Sequence, residues 1–291
     1  MTSDSTSAAS TSGSARHDHT AVSADGTEIA WSRSGGSEQD PGANAAIVLV
    51  HGITESAASF DPIVERLRHR HVVITLDLRG HGESGTAESY DLASMAGDVV
   101  AVIAGAGLTD GVGAGGVHLV GHSLGGAVVS AVGAVLPVAS VVDIDQSLQL
   151  GAFKDQLVAA EELLRDPDQY RYVIGAMFES MSGTLLSPEE RSRVDDLRRP
   201  DQEVILGVWD LLLTSPESEI AETVDTALAG YVDHPTPYLA LFGLDPGDEY
   251  AAWLEQRIPG SQVELWAEHG HYPHLVDPDR FVARLTEFWG G

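Results

Sequence analysis

The residues best spaced for chemistry are Gly121-His122-Ser123-Leu124-Gly125-Gly126. The run follows a strand-like segment, Gly116–Val120, and opens a helix-like one, Leu124–Leu136. In that context G-x-S-x-G forces the serine onto a sharp strand-to-helix turn, with its hydroxyl clear of both elements. Small residues two before and two after are needed because the turn brings neighbouring backbone too close for a Cβ. The helix behind Ser123 aims its N–H groups and positive dipole end at the same point. The chemistry implied is nucleophilic acyl transfer with Ser123 as nucleophile. A phosphate loop would end in Gly-Lys-[Ser/Thr], which is absent.

Three further motifs fit that chemistry. His51-Gly52 closes the first buried strand, and the loop after it is expected to donate one backbone N–H to an oxyanion, from Ile53. The second donor is the N–H of Leu124, the residue after the nucleophile. The His51 imidazole is read either as structural or as functional; the expectation rests on the backbone. The turn Asp77-Leu78-Arg79-Gly80-His81-Gly82-Glu83-Ser84 is read as structural. Near the end, His269-Gly270-His271-Tyr272-Pro273-His274 supplies a general base, because a loop beyond the last strand can reach the top edge of the sheet. His271 is that base, histidine being the side chain whose ordinary pKa lies near neutrality. The three histidines lack the i, i+4 helical spacing of a zinc hydrolase, so no metal is assigned.

These residues need a scaffold with strand ends along one edge. Ala45–Val50, Val72–Leu76, Gly116–Val120, Ala139–Ile144, Tyr238–Phe242 and Gln262–Trp266 read as strands. Helical spacing over 62–69, Leu92–Ala104, Leu124–Leu136, Tyr250–Arg257 and Asp279–Trp289 alternates with them. Apolar strands alternating with helices predict a parallel sheet covered on both faces. Two short strands, Ala21–Ser23 and Thr27–Ser32, join through the hairpin signal Asp25-Gly26, and a Gly/Pro loop spans Gly35–Gly42. Residues 1–20 are Ser/Thr/Ala-rich without apolar period and predict a disordered tail, with His17-Asp18-His19 incidental. Residues 147–230 show only helical spacing and predict three to five short helices. The core is then 21–146 and 231–291, interrupted by a helical cap.

Composition narrows the partners. The 291 residues carry 44 Asp+Glu against 16 Lys+Arg, a formal net charge of −28, and Lys154 is the single lysine. Such a chain cannot build the basic face that tracks a phosphate backbone, so nucleic acid is excluded. With no cysteine, thiol nucleophiles, disulfides and Cys-ligated zinc are excluded as well. No apolar run reaches about 18 residues, and the first twenty residues lack a secretory pattern, so a cytoplasmic protein without membrane partner is expected. The acidity itself fits salt adaptation or a codon bias against lysine.

On His51-Gly52, Asp77–Ser84, Gly121–Gly126 and Gly270-His271, in that order, the chain resembles the α/β-hydrolase family. The resemblance covers residues 21–146 and 231–291 and implies the order nucleophile, acid, histidine, with Ser123 first and His271 last. Relatives that dehalogenate or open epoxides carry Asp at the elbow; Ser123 points instead to esters. The acid departs from the family's usual pattern. The usual place, three residues beyond the glycine after the seventh strand, is here Pro246; Asp245 is one position early and Asp248 two late. A minority of the family places the acid at the end of the sixth strand, where Asp145 stands. Asp145 is the first candidate, Asp245 the second and Asp248 the third. The resemblance implies a cofactor-free serine esterase acting on a small to medium ester, thioester or lactone. Cap residues such as Phe153, Met177, Phe178, Met181 and Trp209 are the source of an apolar pocket. The alternatives are C–C bond hydrolysis, perhydrolysis or lyase chemistry on the same fold, or a non-catalytic receptor.

Overall fold

The sheet is built from segments that are apolar on both sides. The computed structural model describes residues 16–36, 45–108 and 116–290. Its strands are β1 (His19–Val22), β2 (Glu28–Ser34), β3 (Ala46–Val50), β4 (Val72–Leu76), β5 (Val117–His122), β6 (Ser140–Ile144), β7 (Tyr238–Phe242) and β8 (Gln262–Leu265). They form one sheet in the order β1-β2-β4-β3-β5-β6-β7-β8. β1 pairs with β2, and β2 with β4, antiparallel; every other pairing is parallel. Every residue of β3, β4, β5, β6 and β7 is buried, as a sheet covered on both faces requires.

The period of two sorts those residues into two layers. Val48, Val50, Ile74, Leu76, Leu119 and Val141 share a core with α2 (Leu92–Gly105) and α3 (Leu124–Val135). Ile47, Leu49, Val73, Val120, Val142 and Ile144 face α1 (Asp61–Leu67) and the C-terminal helix α12 (Pro278–Phe288). β3, β5 and β6 therefore end side by side, and the residues that follow them meet at one edge.

Between β6 and β7 the chain runs through six α-helices: α4 (Gly151–Arg165), α5 (Tyr170–Met181), α6 (Pro188–Leu197), α7 (Gln202–Val208), α8 (Asp210–Thr214) and α9 (Glu217–Leu228). That exceeds the three to five expected. The extra boundary, at Trp209 between α7 and α8, is marked by no Pro, only by Gly207 in the last turn of α7. The helices bury Leu157, Ile174, Phe178, Ile205, Trp209 and Leu212 in a core of their own, which Ile53 enters from the sheet side. Beyond β7 come α10 (Tyr250–Glu255), where a helix is expected, and a short α11 (Pro273–Val276) within the expected histidine loop.

The expected tail over 1–20 is too long at its inner end. Residues 1–15 and 37–44, the latter taking in most of the expected loop Gly35–Gly42, lie outside the described residues. β1 already begins at His19. His17 is not incidental: its ring is buried, with Nδ1 3.0 Å from Ser32 Oγ and Nε2 3.0 Å from Asp77 Oδ2.

Candidate active site

Ser123 follows β5 and precedes α3 with φ 52° and ψ −125°. A non-glycine residue in that region costs about 1–3 kcal/mol and persists only where its surroundings impose it. They do so here through close approach: a Cβ on Gly121 would stand 2.0 Å from Gly125 O, and one on Gly125 2.1 Å from Val50 O. The strand end, the helix start and the end of β3 thus press together at the turn. Ser123 is half-buried, and its Oγ makes no hydrogen bond among the described residues.

The loop after β3 arrives beside it. A Cβ on Gly52 would meet Ser123 Cβ at 3.1 Å. Neither the Ile53 N–H nor the Leu124 N–H has a hydrogen-bond partner among the described residues. The first N–H groups of a helix lack internal acceptors, so that of Leu124 is free by construction. Two histidines lock this loop to the turn after β4. The Leu78 N–H donates to His51 Nε2 at 3.0 Å, and the Thr54 N–H donates to His81 Nε2 at 3.0 Å. Each ring's Nδ1 faces a backbone carbonyl, of Gly52 and of Arg79 respectively. Both are neutral, burial pushing His51 down and His81 down to about 4. The His51 side chain is therefore structural, and so is the turn Asp77–Ser84. Asp77 accepts from the Ala57 N–H at 2.7 Å and the Glu83 N–H at 2.8 Å. Burial opposes its charge, but those bonds and His17 hold its carboxyl at about 2. Arg79, fully buried, makes a two-pronged pair with Asp98 of α2, Nε and Nη2 each at 2.6 Å.

His271 is 5 % exposed. Its N–H donates to Met181 O at 2.8 Å, which ties the loop to the end of α5. Its Nδ1 lies 2.6 Å from Asp145 Oδ2. Asp145 is fixed on its other oxygen: Oδ1 accepts from the Gly243 N–H at 2.7 Å and the Leu244 N–H at 2.9 Å. Asp145 itself sits at φ 54° just past β6. The contact gives Nδ1 the hydrogen and leaves Nε2 a lone pair. Nε2 is buried without a hydrogen-bond partner among the described residues, and so makes none to Ser123. Burial, the largest influence, pushes His271 below its ordinary pKa, and Asp145 works against that push. The ring is thus in its basic form at neutral pH.

Of the candidate acids, only Asp145 is brought to the histidine. Asp245 is exposed, and its Oδ1 accepts from the Gly247 N–H at 2.9 Å, capping its own turn. Asp248 is exposed as well. Among the described residues no three His, Asp or Glu side chains converge as a metal site. His269 is half-exposed, and His274 is fully buried. No described helix is long and apolar enough to cross a membrane.

Apolar cap residues reach the same edge. Phe178 of α5 stands 6.1 Å from the His271 ring, centroid to centroid. Leu124 and Leu150 pack with Phe153, Met177, Met181 and Trp209 in the cap core. A groove of about 220 Å³ between α4, α9 and α10, lined by Leu148, Leu150, Ile220 and Trp253, includes neither Ser123 nor His271. Sequence reasoning missed Glu55, buried beside His122, and Arg198, which stacks over Phe178 at 3.4 Å. Nothing local in the sequence distinguishes either from a solvated loop charge.

A family model described as "Alpha/beta hydrolase family" matches residues 47–284. The chain is 34 % identical over 262 residues to the 2-(acetamidomethylene)succinate hydrolase of Mesorhizobium japonicum, spanning 86 % of this chain and 90 % of that protein. It is 26 % identical over 265 residues to a pimeloyl-[acyl-carrier protein] methyl ester esterase of Neisseria meningitidis, spanning 86 % and 96 %. Among solved structures, an esterase from Exiguobacterium antarcticum superposes with a TM-score of 0.74 at 20 % identity, covering 94 % of this chain and 99 % of that one. That likeness is one of fold. An esterase from Rhodococcus sp. ECU1013 does so with a TM-score of 0.65 at 26 % identity, covering 94 % and 98 %.

Proposed function

Because the chain belongs to the alpha/beta hydrolase family, we propose that it is a cofactor-free serine hydrolase of carboxylic esters, thioesters or lactones, with Ser123, His271 and Asp145 as its triad. The observation that carries the reading is the 2.6 Å contact between His271 Nδ1 and a doubly anchored Asp145. It turns the Nε2 lone pair into a base at the edge where Ser123 stands. Ser123 Oγ attacks the substrate carbonyl while His271 Nε2 takes its proton. Asp145 holds the ring in the required tautomer and balances the imidazolium that forms. The oxyanion is met by the N–H groups of Ile53 and Leu124. His271 returns the proton to the leaving alcohol or thiol, and the acyl group stays on Ser123. Water then attacks, with His271 again as base, and the acid departs.

The helical segment 147–230 acts as a cap whose apolar residues accept the acyl or alcohol part. The esterases among its relatives support a carboxylic ester hydrolase of class EC 3.1.1. The test is turnover of a p-nitrophenyl ester: Ser123→Ala should abolish it with circular dichroism unchanged. Substantial residual turnover in that variant would sink the assignment. A second reading is carried by the 34 % identical relative, whose named substrate is an acetamido-substituted dicarboxylate. Faster release of acetate from such a compound than from any neutral ester would favour it.

A further inference from the structure

Behind the proposed base lies a set of buried polar groups that the reaction above does not use. Glu55, in the loop after β3, and His122, the last residue of β5, are 2 % and 0 % exposed. His122 Nε2 lies 2.7 Å from the backbone carbonyl of His271. A carbonyl only accepts, so Nε2 carries a hydrogen. The other ring nitrogen, Nδ1, lies 3.5 Å from Glu55 Oε2. Neither of these atoms has a hydrogen-bond partner among the described residues. Were Nδ1 bare, a lone pair would face a carboxylate in a dry site, and both groups would go unsatisfied.

One proton between them removes that conflict, and the surroundings decide its host. Glu55 Oε1 accepts from Tyr272 Oη at 3.0 Å and lies 3.9 Å from Arg198 Nη2. A donor and a cation at that oxygen favour the carboxylate over the acid. Burial works against the Glu55 charge, yet His122 and Arg198 hold its carboxyl well below the usual value. Of the other elements, the loop after β3 brings the neutral His51 within electrostatic reach of His122 and Glu55. The rings of His271, Tyr272 and His274 stand at 4.7, 5.0 and 4.7 Å from its own. Burial first, and then His122, keep His274 neutral. Arg198 approaches from the cap, across Tyr272.

We propose that His122 is a buried imidazolium paired with Glu55, and that the pair is a positioning device for the base. Its Nε2–H grips the His271 carbonyl, and its Nδ1–H faces Glu55. The loop that carries His271 is thereby tied to the elbow and to the loop that carries Ile53. Through Tyr272 and Arg198 the same pair reaches the cap. Of the two charges, His122 is the one in ring contact with His271. Its field therefore opposes protonation of the base and extends activity towards acid. This role rests on His271 being the base.

The test uses ¹⁵N-histidine-labelled full-length protein at neutral pH. Long-range ¹H–¹⁵N spectra should show both ring nitrogens of His122 protonated, the signals being assigned by their loss in His122→Asn. In Glu55→Gln the side-chain amide can donate to Nδ1, so only Nε2 should remain protonated. The acid limb of kcat/KM should then move up by about half a pH unit, with kcat falling more than KM changes. A bare Nδ1 on native His122 would overturn the proposal, whether or not Glu55→Gln folds. An unmoved acid limb in a folded Glu55→Gln would overturn the positioning role. Full turnover by His271→Ala would instead overturn the base, and would leave the His122 spectrum as it was.

Discussion

Replacing Asp145 by Asn changes one atom and should disable the site. Oδ1 is anchored by two backbone N–H donors, at 2.7 and 2.9 Å. An oxygen must stay there, so the new amide nitrogen has to occupy the Oδ2 position. That position lies 2.6 Å from His271 Nδ1. The amide is a donor, so Nδ1 must become the acceptor and its hydrogen must move to Nε2. A protonated Nε2 cannot take the hydrogen of Ser123. The charge that would balance the imidazolium is lost in the same step. Together these should lower kcat by about 10⁴-fold, or roughly 5 kcal/mol. Asp245→Asn acts on an exposed turn cap and should change kcat by no more than about twofold. The assay is p-nitrophenyl ester hydrolysis, with circular dichroism to show that both variants fold. A loss of under about tenfold in Asp145→Asn, or a large loss in Asp245→Asn, would refute the assignment of the acid.

Three other perturbations follow from the same geometry. Stability should fall as pH drops from 6.5 towards 4. His81, neutral when folded and held at about 4, takes up a proton from pH 6.5 downward only on unfolding. That single group is worth about 3 kcal/mol, and urea unfolding at stepped pH reads it; a flat profile, or one unchanged in His81→Gln, would contradict it. Arg79→Met leaves Asp98, 0 % exposed, as a charge without its partner, and should cost about 3–5 kcal/mol in urea unfolding; a cost under about 1 kcal/mol would mean that the pair is structurally idle. The net charge of −28 should disfavour anionic esters against neutral or cationic ones, and that gap in kcat/KM should close as salt rises and the Debye length falls to about 10 Å at 0.1 M. An anionic ester turned over fastest at low salt would count against that.

What the sequence revealed was local, and what it hid was long-range. The elbow was legible because two periods change at Ser123: a buried strand ends there and a helix begins. Both glycines that the turn needs are present. The place of His271 was legible because a loop after the last strand lies at the sheet's upper edge. The choice of acid stayed open between Asp145 and Asp245. What separates them is the path of Gly243 and Leu244, whose N–H groups turn back onto Asp145 from 98 and 99 residues away. Nothing near either aspartate encodes that. His17 was read as part of a tail because its partner, Asp77, is 60 residues distant. Glu55 was not legible for the same reason: His122, Tyr272 and Arg198, which enclose it, come from three other segments. The sixth cap helix was missed because α7 and α8 part at Trp209 without a Pro, and the apolar spacing runs on past Gly207.

The central claim is that Ser123 is a nucleophile activated by His271. Its most direct test is intact-mass and peptide mapping after brief exposure to a fluorophosphonate. The expected result is one phosphonyl group per chain, on the peptide containing Ser123. It should be absent from Ser123→Ala and greatly slowed in His271→Ala. No adduct on the folded native protein, or an adduct that persists at another residue in Ser123→Ala, would contradict it.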